Sequence, residues 1–110
     1  MRKDKVRLQH MLDAAREAIG FVQGRARTDL DSDRMLVLSL VKEIEIVGEA
    51  ANQVSKATRE QLPGIPWADI VGMRNRLIHA YFDINLEILW RTVQYDLPPL
   101  IAVLERVLKG

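Results

Sequence analysis

Cysteine is absent from the 110 residues. That removes disulfides, a thiolate nucleophile and cysteine-ligated zinc together, and it suits the cytoplasm. Charge of one sign is missing too: 16 basic residues stand against 15 acidic ones, for a net charge of +1. The chain is therefore no strongly basic nucleic-acid binder, although a cleft needs only a few arginines to grip RNA locally. No apolar run reaches the roughly 18 residues that span a bilayer. The basic start, Met1-Arg2-Lys3-Asp4-Lys5, is followed by no signal-peptide apolar region. These absences lead to the expectation of a cytoplasmic protein with no membrane partner. Aromatics are sparse, and Trp67 and Trp90 are too isolated to form a base-stacking platform, so they read as core or interface anchors. Glycine and proline cluster at Pro63-Gly64-Ile65-Pro66 and Pro98-Pro99, and the long stretches between them favour long helices over many short strands.

What is present is helical periodicity in one domain, residues 1–110. Leu8, Met11, Leu12, Ala15, Ile19 and Val22 recur at steps of three and four, which predicts a helix over about Lys3–Gln23 with Gly24 as its stop. Thr28 to Asp33 is a polar link in which Asp29, Ser32 or Asp33 can cap the next helix. That helix is expected over Arg34–Glu60. Val37, Val41, Ile44, Gly48 and Ala51 form one stripe, and Leu36, Leu40, Val47 and Val54 another. So broad an apolar face needs more than one neighbour, in a bundle, in a dimer, or in both. Pro63 and Pro66 separate it from a third helix, Trp67–Ala80. Asp83 or Asn85 can cap a fourth, striped by Leu86, Leu89, Trp90, Val93 and Leu97. Pro98-Pro99 predicts a break or strong kink before a last helix bearing Ile101, Leu104, Val107 and Leu108. The fold class is all-α, an antiparallel bundle of four to five helices.

The chemistry-bearing stretch is Gly72-Met73-Arg74-Asn75-Arg76-Leu77-Ile78-His79-Ala80-Tyr81. On a continuous helix, Asn75, Arg76 and His79 share a face. Arg74 lies roughly 140° round from His79 and must reach round or meet the histidine of a second subunit. Tyr81 joins the group only if the helix loosens. Cleaving RNA without a metal requires a base for the 2′-hydroxyl proton, an acid for the leaving 5′-oxygen, and positive charge at the phosphate. Histidine suits the proton transfers, and the planar, always-charged arginine fork suits the phosphate. One histidine cannot easily serve as both acid and base, so a symmetric dimer supplying two is attractive. Glu43, Glu45 and Glu49 have no histidine beside them to make a metal cluster. They read as partners for basic residues, one of them a candidate for orienting Arg74 or His79.

The order Arg74, four residues, His79, one residue, Tyr81 resembles the motif of HepT toxins in the HEPN superfamily. The resemblance continues through Trp67-Ala68-Asp69-Ile70-Val71-Gly72-Met73, through Ile46-Val47-Gly48-Glu49-Ala50-Ala51, and through Ile65-Pro66-Trp67 and Leu89-Trp90. It implies a HEPN-like helical bundle that forms a homodimer or higher homo-oligomer, with both motif segments at one interface cleft. It further implies a metal-independent ribonuclease toxin that needs no cofactor. By the resemblance Arg74 and His79 are catalytic and Asn75 is the polar residue that accompanies the arginine at the RNA. Arg76 is added from its chemistry as an RNA-phosphate contact. The partner the resemblance implies is an MntA-like nucleotidyltransferase antitoxin that transfers AMP from ATP to Tyr81, bringing negative charge and bulk to a cleft built for phosphate.

Two other readings compete with the enzyme. A non-catalytic HEPN subunit would partner a nucleotidyltransferase and present a ligand to it, with no need of both Arg74 and His79. A plain helical dimerisation protein would leave the arginine and histidine dispensable.

Overall fold

In the computed structural model, residues 2–80 and 83–109 are described, the side chains of His79 and Ala80 excepted. The fold is an all-α bundle built on two long helices, α1 (Arg2–Phe21) and α3 (Arg34–Gln53). They run antiparallel: Asp4, near the start of α1, accepts from Ser55, just past the end of α3, and Phe21, at the end of α1, lines one groove with Leu38, near the start of α3. The core forms where the expected stripes face each other. Leu8, Met11, Leu12, Ala15 and Val22 are buried against Val37, Leu40, Ile44 and Val47. Gly24 sits at φ +73°, the left-handed conformation that glycine adopts without a Cβ penalty, and ends the first hairpin arm. A short helix, α2 (Asp29–Ser32), follows. Of the three candidate caps, Asp33 is the one used, accepting the Leu36 amide at 3.0 Å.

The expected Arg34–Glu60 helix is interrupted. Val54 is extended, Ser55 caps a separate helix α4 (Lys56–Gln61), and the Ser55 Oγ accepts the Thr58 amide at 3.3 Å. Arg59 seals the end of α3 by donating to the carbonyls of Ala51, Asn52 and Val54. The apolar stripe runs on through Val54, but a local serine cap and a buried carboxylate, Asp4, outcompete helix continuation there.

The expected Trp67–Ala80 helix is also divided. It becomes α5 (Trp67–Val71) and α6 (Met73–Leu77), offset at Gly72. Residues Ile78–Ala80 then form an extended strand, β1, which pairs antiparallel with β2 (Asp83–Ile84), Ile78 opposite Ile84. The Asn85 amide donates to the Leu77 carbonyl at 2.7 Å, and so takes an acceptor that a longer helix would have used. Of Asp83 and Asn85, the latter caps the next helix, α7 (Leu86–Arg91), its Oδ1 accepting the Ile88 amide at 3.0 Å.

At Pro98-Pro99 the expected break is replaced by a widened turn. Thr92–Asp96 is π-helical and leads directly into α8 (Leu97–Lys109), with the Leu97 amide reaching back five residues to the Thr92 carbonyl. Two adjacent prolines offer no amide hydrogens and crowd the carbonyls one turn back. Widening that turn accommodates them without ending the rod. The buried side of this rod, Leu89, Val93, Leu97, Leu100 and Leu104, closes the bundle. Among the described residues no helix is long and apolar enough to cross a membrane.

Candidate functional site

The site is positioned by a close approach of two backbones. A Cβ at Gly48 on α3 would lie 3.4 Å from the Ile70 carbonyl oxygen and 3.6 Å from that of Val71. A small residue here lets α5 lie close against α3, with a Cβ only just in contact. Ile70, Met73 and Leu77 anchor α5 and α6 in the core, which turns the next positions, Arg74 and Asn75, outward into a groove over α3. The groove is lined by Glu45, Gly48, Glu49, Asn52, Val71, Arg74 and Asn75 and measures about 320 Å³.

Arg74 is fixed within it. Its Nε donates to Glu45 Oε2 at 2.6 Å, with the arginine side chain half exposed and the glutamate 30% exposed. Glu45 is thus the member of the three-glutamate set that orients the motif arginine. The bond uses the inner nitrogen of the guanidinium, so the terminal nitrogens keep the paired-donor edge that matches a phosphate. Asn75 shares the groove, while Arg76 does not. Its Nη1 donates to the Asp69 carbonyl at 3.1 Å and lies 3.9 Å from the Asp69 carboxylate. Arg76 lines a separate groove of about 460 Å³, with Ile70, Tyr95 and Pro99.

The backbone of His79 lies on β1 rather than on α6, so the continuous helix on which Asn75, Arg76 and His79 were expected to share a face ends at Leu77. The rotation of about 140° between Arg74 and His79 has no meaning once the chain turns extended at Ile78. Tyr81 lies outside the described residues. Among the described residues no group of three or more histidine or acidic side chains gathers in metal-binding geometry.

Trp67 is an anchor, as its isolation suggested. Its indole donates to the Leu62 carbonyl at 3.1 Å, and the Arg59 guanidinium lies 5.9 Å from the ring centre. Sequence reasoning missed the buried Asp4, which accepts from the Ser55 amide, the Ser55 hydroxyl and the Thr58 hydroxyl. The signal was there in the spacing Ser55-x-x-Thr58, a helix start, but its partner is 51 residues away.

The fold and groove define a small helical bundle that presents an oriented arginine, Arg74, which opens an Arg-x4-His-x-Tyr stretch of the sequence. The family model described as "Ribonuclease HepT-like" matches residues 11–107, and the chain belongs to that family. It is 34% identical to "Putative RNase TTE0752" of Caldanaerobacter subterraneus subsp. tengcongensis, over 99% of this chain and 97% of that one. It is 33% identical to "Putative RNase MJ1380" of Methanocaldococcus jannaschii, over 94% of each chain. It is 32% identical to "Probable ribonuclease HepT" of Thermococcus cleftensis, over 89% of this chain and 93% of that one. No solved structure matches the chain significantly.

Proposed function

We propose that this protein is a metal-independent endoribonuclease toxin that acts as a homodimer, with Arg74 and His79 as catalytic residues. Membership of a ribonuclease family supports the reaction class. The observation that supports the assignment of the site is the Arg74–Glu45 pair: an exposed arginine held by its inner nitrogen and lining a groove.

The chemistry follows from the residue types. A neutral imidazole of His79 takes the 2′-hydroxyl proton. The 2′-oxygen attacks phosphorus, the bond to the 5′-oxygen breaks, and that oxygen leaves with a proton from a protonated imidazole. The products are a 2′,3′-cyclic phosphate and a 5′-hydroxyl. Arg74 holds the phosphoryl oxygens as charge builds on them. Asn75 donates a neutral hydrogen bond beside it, and Arg76, turned into the neighbouring groove, reaches RNA only beyond the scissile phosphate.

Charge in the groove supports two subunits. One protomer offers Arg74 against the carboxylates of Glu45 and Glu49, which is a poor balance for an anion. A second protomer adds its own Arg74 and the second imidazole that acid–base catalysis uses. Control by an MntA-like nucleotidyltransferase, adding AMP to Tyr81, completes the toxin–antitoxin reading.

The test is incubation of the purified, unmodified chain with total RNA in EDTA beside His79→Ala and Arg74→Ala. Cleavage by wild type and loss in both variants is the expected outcome. Intact RNA with folded dimer, or equal cleavage by the variants, would transfer the assignment to a non-catalytic subunit that partners a nucleotidyltransferase.

A further inference from the structure

The groove that Arg76 lines lies on the other side of α6 from Arg74. The two arginines are two residues apart on a short helix, so they leave it about 200° apart, Arg74 over α3 and Arg76 towards α8. At about 460 Å³ the Arg76 groove falls within the roughly 300–1,000 Å³ range of small-ligand sites and has room for one nucleoside.

Its lining is of three kinds. The floor is apolar, where the groove reaches the buried side chains of Ile70, Met73 and Leu100. Tyr95 stands on the rim, 71% exposed, the most exposed aromatic ring among the described residues. The charges are mixed. Arg76 bonds the Asp69 carbonyl and stays 44% exposed, and Asp96 lines the groove with no ion pair among the described residues. Tyr95 and Asp96 close the π-helical turn Thr92–Asp96, and single widened turns of this kind recur at functional sites.

This lining suits a base better than a phosphate. Two carboxylates, Asp69 and Asp96, stand against one arginine, so the groove as a whole does not attract an anion. A neutral ring with donors on its edge meets an apolar floor, an aromatic face and a carboxylate acceptor, which is how unpaired RNA bases are read. We propose that this groove is a base-specificity subsite for the RNA: Tyr95 stacks on a guanine close to the cut, Asp96 accepts from its N1–H and its 2-amino group, and Arg76 holds the adjoining phosphate. Guanine is the base that offers two donors side by side to one carboxylate. Adenine and cytosine offer a donor beside an acceptor, which a carboxylate repels, and uracil a donor between two acceptors. The inference rests on the ribonuclease reading above and names the RNA that such a site prefers. A strand held by both arginines passes over α6, which sets the guanine at a fixed distance from the bond that breaks.

Binding and cleavage are measured on the same sequences. The binding probes are uridine-tract RNA oligonucleotides with a central guanosine, inosine, adenosine or uridine, 2′-O-methylated throughout so that no 2′-hydroxyl can attack. Fluorescence anisotropy with the full chain should show the guanosine probe bound about tenfold more tightly than the adenosine or uridine probe. Inosine, which lacks the 2-amino group, should fall between. Tyr95→Ala should weaken every probe about tenfold, because stacking is tolerant of sequence. Asp96→Asn, which replaces one of the two acceptors with a donor, should remove most of the guanosine preference and leave the uridine probe unchanged. Circular dichroism confirms the helix content of both variants. Cleavage of the unmethylated oligonucleotides in EDTA is the separate readout of the ribonuclease. Equal affinity for every probe, or binding untouched by Tyr95→Ala or by Asp96→Asn, would overturn the subsite, and cleavage in the same preparation would then leave the ribonuclease reading standing. A guanosine preference without cleavage would keep the subsite and overturn the ribonuclease.

Discussion

Arg74 donates through Nε to Glu45 at 2.6 Å, so the arginine that carries the proposed phosphate contact is aimed from a helix 29 residues earlier in the chain. The pair is exposed enough that its direct contribution to stability is under about 1 kcal/mol. Its effect is orientation. Glu45→Gln keeps the size of the side chain and weakens the hold on the guanidinium. It should lower kcat for RNA cleavage about tenfold, in line with the loss expected when a positioned charge is released, while leaving the melting temperature within about a degree of wild type. Arg74→Lys should lose more, because an ammonium has no separate inner nitrogen to donate to Glu45 while presenting two parallel donors to a phosphate. Single-turnover cleavage beside thermal melts separates the two effects. A variant that melts several degrees lower would make Glu45 a structural residue.

Gly48 sets how close the arginine-bearing segment can come. Alanine there would meet the Ile70 and Val71 carbonyl oxygens at ordinary contact distances. It would also recover about 1 kcal/mol of helix propensity within α3. Gly48→Ala should therefore be neutral or slightly stabilising. Gly48→Val has no room for its extra methyl groups and should destabilise by about 1–3 kcal/mol, moving α5 and Arg74 away from Glu45. Urea unfolding beside cleavage assays checks this pair. Equal behaviour of the alanine and valine variants would mean that the approach of α5 to α3 is not limiting.

How far the sequence discloses this arrangement depends on the range of the forces involved. The α1 stripe is readable because burial follows a 3.6-residue period, and Leu8, Met11, Leu12, Ala15 and Val22 are buried where that period puts them. The glycine at Gly24 and the cap at Asp33 are local and equally readable. The end of α3 at Val54 is hidden because the stripe continues through it, while a decisive group, Asp4, comes from 51 residues away. Ile78-His79-Ala80 is hidden for a similar reason. Its helical extension looks sound until Asn85 takes the Leu77 carbonyl and Ile84 pairs with Ile78. Pro98-Pro99 does disturb its helix, and the strain is absorbed earlier, in Thr92–Asp96, rather than by a break. In the site, the residue types of the motif can be read directly, but the choice of Glu45 among three nearby glutamates is made by packing.

Asp4 ties the start of α1 to the start of α4. Hydrogen bonds from the Thr58 hydroxyl, the Ser55 hydroxyl and the Ser55 amide hold its pKa down to about 2, below the ordinary 3.8. A depressed carboxylate stabilises the fold above its unfolded pKa, and that stabilisation is lost as the pH falls towards its folded value. Asp4→Ala should lower the melting temperature at pH 7, and the gap from wild type should close between about pH 4 and pH 2. Proteolysis at the Val54–Ser55 junction should speed up in the variant, because the carboxylate is what holds that break in place. A gap that stays constant with pH would show that Asp4 acts through packing rather than charge.

Glu43 behaves in the opposite sense. Burial first, and then the neighbouring Glu17 carboxyl, raise its pKa from 4.5 to about 7. Glu17 faces it from α1, and Lys42 lines the same groove from α3. The folded monomer binds the Glu43 proton more tightly than the unfolded chain does. Its contribution to stability is therefore full below about pH 4.5 and is lost as the pH rises through about 7. In dilute, monomeric protein Glu43→Gln should match wild type near pH 4.5 and become the more stable of the two at pH 8, where wild type must bury a charge. Thermal melts of the two proteins at pH 4.5 and pH 8 decide it, and a Glu43→Gln variant no more stable than wild type at pH 8 would show that the Glu43 carboxyl does not hold its proton in the fold.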